Sequence, residues 1–138
     1  MRIVADTNII VSGFLFGGVP LRVLNAGKIG IIELCTSQAL LDEFAEVIER
    51  PHFDRKFDET GISRRRMVSD YAAISTVVTT ATLGEQVSRD PDDDEVIACA
   101  VAADCEFIVT GDHDLLVLEE YRNIKIMTAA EFLLELEL

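Results

Sequence analysis

Positive charge is scarce in this chain of 138 residues: 12 Lys and Arg stand against 25 Asp and Glu, a formal net charge of −13. That balance argues against generic nucleic-acid binding, which neutralises phosphate with Lys and Arg. It leaves open a nuclease whose positive charge comes from cations held at the point of reaction. Histidine is limited to His52 and His113, and cysteine to Cys35, Cys99 and Cys105. The cysteines are odd in number and form no C-x-x-C pair, so they read as buried thiols of a reducing compartment and not as a disulfide framework. Long hydrophobic runs are missing as well. The longest uncharged stretch, residues 7–21, contains Asn, Ser, Gly and Pro and is too short and too polar to span a bilayer. Asp6 interrupts the N-terminal apolar run, which argues against a signal peptide. The expectation is a cytoplasmic protein without a membrane contact.

What remains is ordinary globular material, 49% hydrophobic and 27% charged, with no repeat and no low-complexity tract. Its length suits one domain, residues 1–138. Short apolar runs at 2–5, 31–35, 74–78, 107–109 and 124–126 read as buried strands. Helical signals lie between them. One runs from about Asn8 to Phe16, and another follows Pro20 and stops at Gly27. Ser37 caps a helix reaching Arg50, where Pro51 ends it. Residues 53–71 read as one or two polar helices, and Asp90 caps a helix with Pro91 at its first position. Leu115 to Glu120 reads as a short helix, and Thr128 caps a last one through Leu136. Strands alternating with helices predict a three-layer α/β/α fold around a central parallel sheet of four to five strands.

In such sheets the ligand sites form at the carboxyl ends of the strands. Asp6 ends the first strand, Asp112 follows the fourth, and the acidic run 90–94 opens a helix near the same edge. On a helical wheel Glu43 lies on the flank of an apolar stripe formed by Leu40, Leu41, Phe44, Val47 and Ile48. Asp93 and Asp94 both project toward the core side, and the wheel does not separate them. Each acid alone has a plainer reading: Asp6 as a helix cap, Glu43 as a solvated acid, 90–94 as a helix start, Asp112 and Asp114 as turn residues. Only their joint position at one sheet edge favours chemistry. Phe14, Phe16 and Phe44 read as core, and His113 as a polar loop residue. Arg64, Arg65 and Arg66 are candidates for gripping RNA phosphates, with a solvated helix face an equal alternative.

The segments Asp6-Thr7-Asn8, Glu43, Asp94-Glu95-Val96-Ile97-Ala98 and Val109-Thr110-Gly111-Asp112 together resemble the PIN-domain family, in the expected order and over essentially the whole chain. That family comprises small metal-dependent ribonucleases, many of them toxins of toxin–antitoxin modules. Residues 89–94 and 109–116 resemble its VapC-like branch. The resemblance implies that Asp6, Glu43, Asp94 and Asp112 are the catalytic, metal-binding acids, with Asp114 auxiliary, and it alone selects Asp94 over Asp93. It implies that Thr7, Asn8 and Thr110 orient carboxylates or water. Leu115 stands where other branches carry Phe. An all-oxygen site of this kind suits Mg²⁺ or Mn²⁺. The implied activity is endoribonuclease, leaving 5′-phosphate and 3′-hydroxyl ends. The implied partners are RNA, a second copy in a homodimer, and an antitoxin whose cationic segment fits the carboxylate cleft.

Three other readings compete. A haloacid-dehalogenase-like phosphatase needs D-x-D after the first strand, and position 8 is Asn. A phosphorylation receiver needs a Lys after the fifth strand, and Lys125 falls inside it. A non-catalytic, metal-stabilised binding module is favoured by the net charge and disfavoured by the complete set of acids.

Overall fold

In the computed structural model, which describes residues 1–137, six strands form one sheet in the order β3-β2-β1-β4-β6-β5. They are β1 (Arg2–Ala5), β2 (Glu33–Ser37), β3 (Ser75–Val78), β4 (Phe107–Val109), β5 (Glu120–Tyr121) and β6 (Ile124–Met127). The five strands anticipated from the sequence are all present and mutually parallel. The sixth, β5, pairs antiparallel with β6. It takes Glu120, which sequence reasoning assigned to the end of a short helix. Glu119, Arg122 and Asn123 adopt positive φ, which turns the chain back on itself and ends the helix early.

Eight α-helices connect the strands: α1 (Thr7–Phe16), α2 (Gly18–Lys28), α3 (Gln38–Val47), α4 (Asp54–Thr60), α5 (Arg64–Ile74), α6 (Pro91–Ala102), α7 (His113–Leu116) and α8 (Ala129–Leu136). A 3-10 turn at Pro51–Phe53 follows α3. Helix α3 stops three residues before the expected Arg50, because Arg50 precedes proline and is extended, at φ −63° and ψ 135°. Caps match their sequence signals. Ser37, Ser63, Asp90 and Thr128 each accept a hydrogen bond from a first-turn amide, and Thr128 and Glu131 complete a capping box.

The central strands β1, β2 and β4 are buried on both faces. Ile3, Ala5, Leu34, Phe107 and Val109 point into one core with residues of α1, α2, α3, α5 and α8. Val4, Cys35 and Ile108, one residue out of phase, point into a second core against α6 and α7. The chain adds β2 and β3 on one side of β1 and then crosses to β4 on the other. This reversal makes a crevice at the carboxyl ends of β1 and β4. Among the described residues no single helix is long and apolar enough to cross a membrane. The α1–α2 pair passes that test only jointly, and it is bent by 101° at the break.

That bend requires close approach. A Cβ at Gly13 would stand 2.6 Å from Leu24 Cδ1 and 3.2 Å from the backbone at Pro20 and Leu21. Alanine favours a helix over glycine by about 1 kcal/mol. We nevertheless expect Gly13→Ala to destabilise the protein, by about 1–3 kcal/mol through overpacking. Chemical denaturation measures it, and an unchanged or raised midpoint would contradict the packing described.

Candidate metal and active site

Asp6 ends β1 and caps α1. Its amide donates to Val109 O at 2.9 Å, which fastens the tip of β1 to the tip of β4. Its Oδ1 accepts from the Thr7 amide at 2.7 Å, and its Oδ2 accepts from the Thr110 hydroxyl at 2.8 Å. The Thr110 hydroxyl in turn accepts from the Asp112 amide at 3.0 Å. One fully buried hydroxyl therefore sets the position of two acids from different strands. Asp112 also caps α7, accepting from the Asp114 amide at 3.0 Å. Asp93 arrives from the first turn of α6, and the Ser88 hydroxyl donates to its Oδ2 at 3.1 Å. Carboxylate oxygens of Asp6, Asp93 and Asp112 all lie within 4.8 Å of one another. Asp6 and Asp93 are only 7% and 6% exposed, so water screens them little.

These acids floor a cleft of about 280 Å³. Glu43 forms part of its wall from α3, and the Thr7 hydroxyl donates to Glu43 Oε2 at 3.2 Å. Thr7 thus ties the wall to the floor. Two full charges 4.8 Å apart repel by roughly 3–4 kcal/mol at an effective dielectric near 20. Protons relieve the crowding in the absence of a cation. Burial, a hydrogen bond to Asp112 and the charge of Asp112 push the Asp93 carboxyl up to about 7. Burial first, opposed by the bond from Thr110, raises Asp6. Burial and the charge of Asp6 raise Glu43. The donors are oxygens only, a set that suits a hard cation such as Mg²⁺ or Mn²⁺.

The structure brings together Asp6, Asp112, Thr7, Asn8 and Thr110 around this cleft, with Glu43 facing it. It corrects one residue. Asp94 does not point into the cleft; its carboxylate accepts from the Val87 and Ser88 amides at 3.0 and 2.7 Å. The segment before α6 folds back over the helix start and occupies Asp94, which leaves Asp93 on the face toward Asp6. Nothing in the residue pattern announces those two amides, and so the wheel could not decide. Asp114 contributes its backbone amide to Asp112, and its side chain lies outside the cleft lining. Asn8 Oδ1 accepts from the Gly111 amide at 3.4 Å and joins the two strand tips.

The arginine run is also reassigned. Arg64 donates to Ile48 O at 2.8 Å, pairs with Asp54 and lies over the Phe57 ring. Arg66 pairs with Asp70, and Arg65 is exposed on the same helix, away from the cleft lining. Phe44 is core and Phe14 is packed against it, but Phe16 is 62% exposed and lines the cleft with Arg50 and Phe53. Sequence reasoning did not single out Arg50 or Phe53. Helix α3 ends early, and that turn carries both to the rim.

A family model described as PIN domain matches residues 2–114. Among solved structures, the chain is similar to VapBC2 from Rickettsia felis bound to a DNA fragment from their promoter. Identity there is 12%, coverage is 91% of this chain and 97% of that one, and the TM-score is 0.61. It is also similar to FitAcB from Neisseria gonorrhoeae, at 12% identity, 93% and 98% coverage and a TM-score of 0.59. At such identity the likeness is one of fold. No curated protein matches the chain by sequence.

The raised acids set a pH dependence. Between the ordinary carboxylate range and about 7, folded Asp93 holds a proton that the unfolded chain releases. Stability of the metal-free protein should therefore fall as pH rises through that window. Asp6 and Glu43 shift in the same direction. A cation competes with the proton, so millimolar Mg²⁺ should raise Tm more at about pH 8 than at about pH 5.5, and more at low salt. Asp93→Asn should flatten the metal-free decline. Equal Mg²⁺ shifts at both pH values would count against a shared carboxylate site.

Proposed function

The chain belongs to the PIN-domain family, and on that premise we propose that it is a Mg²⁺- or Mn²⁺-dependent endoribonuclease. The observation that carries this reading is the meeting of Asp6, Asp93 and Asp112 within 4.8 Å, at the crevice between β1 and β4. These three would hold the cation, with Glu43 close by on the wall. When bound, the cation activates water and offsets charge on the attacking and leaving oxygens.

The protein's own groups supply the geometry. Thr110 and the Thr7 amide fix both oxygens of Asp6 before substrate arrives, so little reorganisation is left for the reaction itself. Ser88 holds one oxygen of Asp93. Glu43 has Oε2 engaged by Thr7. Oε1 is left to take a proton from the attacking water, and the raised proton affinity of Glu43 suits that role. Water adds to phosphorus as its proton passes to Glu43, the bond to the 3′ oxygen breaks, and that oxygen takes up a proton from solvent, giving 5′-phosphate and 3′-hydroxyl ends.

We further place the protein in the cytoplasm as the toxin of a toxin–antitoxin module, acting as a homodimer and restrained by a separate antitoxin. The likeness in fold to VapBC2 and FitAcB supports the toxin–antitoxin part of this reading. Asn8, tied to the Gly111 amide, is no substitute for the second carboxylate of a dehalogenase-like phosphatase.

The test is cleavage of single-stranded and structured RNA with Mg²⁺, Mn²⁺ or EDTA. Cleavage should require metal. Asp6→Asn and Asp93→Asn should each lower kcat by at least about a hundredfold while the fold persists. Asp94→Asn should stay much nearer the wild type. Cleavage indifferent to EDTA, or wild-type turnover in Asp6→Asn, would refute the assignment. Metal-induced stabilisation without any cleavage would identify a binding module instead.

A further inference from the structure

The acid cleft has a rim of different chemistry. Phe16, the last residue of α1, is the one aromatic among the large hydrophobic residues that the described structure leaves exposed. It lines the same cleft as Asp6, Asp93 and Asp112. The Lys56 ammonium stands 5.4 Å from its ring centroid. Arg50 lines the cleft as well, is exposed, and among the described residues makes no side-chain hydrogen bond or ion pair. Arg2, Arg22, Arg55, Arg64 and Arg66, by contrast, all pair with carboxylates, and Arg65, Arg89 and Arg122, which do not, lie outside the cleft lining. In a chain of net charge −13, an uncommitted guanidinium beside an exposed ring at this one opening calls for a ligand with both negative charge and a flat apolar face.

We propose that Phe16 and Arg50 form the docking rim for single-stranded RNA: an unpaired base stacks on the Phe16 ring, and the phosphate next to the scissile one pairs with Arg50. This rests on the ribonuclease reading above and specifies the form of its substrate. Single-stranded binders combine aromatic platforms with cations that track the backbone, because every base offers a π-face. A duplex keeps its bases stacked inside and offers none to the ring. The rim is opposite in sign to the carboxylates below it, which are the part of the cleft that an antitoxin's cationic segment would fit. A cationic protein segment meets Arg50 and Lys56 as like charges, whereas a phosphate strand meets them as opposite ones.

The measurement is fluorescence anisotropy of labelled single-stranded RNA, with a duplex of the same sequence for comparison. It uses the full chain carrying Asp6→Asn with Mg²⁺ present. The cleavage rate of the Asp6-intact protein is followed in parallel. Phe16→Ala and Phe16→Leu should each weaken single-strand binding by about tenfold or more, and Phe16→Trp should restore it. Arg50→Ala should reduce the slope of log affinity against log salt by about 0.7, the share of one phosphate contact. The Mg²⁺-induced rise in Tm should persist when each of the four substitutions is made in the Asp6-intact chain, since none of them removes an acid that would hold the cation. If the Asp6-intact chain cleaves RNA while Phe16→Ala and Arg50→Ala bind and cleave at wild-type levels, the rim proposal falls and the ribonuclease reading stands. Variants that keep RNA binding but lose binding of an Arg-rich peptide would make the rim a protein contact and overturn the proposal. If the unmutated chain neither binds nor cleaves RNA, both fall together.

Discussion

Everything at the functional end of this molecule follows from forcing Asp6, Asp93 and Asp112 into one buried space. Like charges that close in a poorly screened site raise the free energy of the folded chain, so the scaffold must hold them there against their repulsion. It does so with neutral donors. Thr110, Thr7 and Ser88 each donate a hydrogen bond to these acids or to Glu43, and none adds a permanent positive charge. A lysine or arginine in the same place would cancel the repulsion and also remove the site's appetite for a cation. The arrangement therefore stays unresolved by design of its polar shell, with protons the occupants when no metal competes.

The topology makes this crowding possible with few residues. Because the chain reverses direction between β3 and β4, β1 and β4 lie side by side with their loops diverging. The Asp6 amide bonded to Val109 O locks the two tips in register. Thr110 then spans from one strand's acid to the other's backbone. Asp6 and Asp112 are also helix caps, so the plain structural reading and the chemical reading of the same residues are both true. A cap fixes one carboxylate oxygen through a backbone amide and leaves the remaining lone pairs facing the crevice.

The fold could be read from the chain because its signals are local. Apolar runs, caps at Ser37, Asp90 and Thr128, and Pro51 after α3 each act on their own segment. Two of the three clustered acids could be read for the same reason, since each sits at the end of a strand whose direction is fixed. Asp93 could not. The choice between it and Asp94 depends on where residues 87 and 88 place their amides, and a connection without periodicity gives no sign of that. Family resemblance pointed to the neighbour instead. Phe16 was misread for a related cause. Its spacing on α1 suits the core, but α1 ends there and Gly17, at φ 73°, turns the chain away and leaves the ring exposed. Residues at element ends escape periodicity arguments, and active clefts are built from element ends.

The distribution of charge is the remaining constraint. An overall −13 repels polyanions at a distance, and two of the three arginines in the run that looked suited to RNA, Arg64 and Arg66, are paired within the fold. Arg64, at the start of α5, joins Ile48 at the end of α3 to Asp54 and Phe57 of α4. What a strand meets on close approach is different: Arg50 and Lys56 at the opening, and cation-seeking carboxylates below. Screening at physiological salt confines the long-range repulsion to about 8 Å, so the local sign at the rim outweighs the global one once the strand is within contact distance. A surface of this kind disfavours polyanion binding away from the cleft opening. Net charge, taken alone, is therefore a poor guide to whether this fold handles nucleic acid.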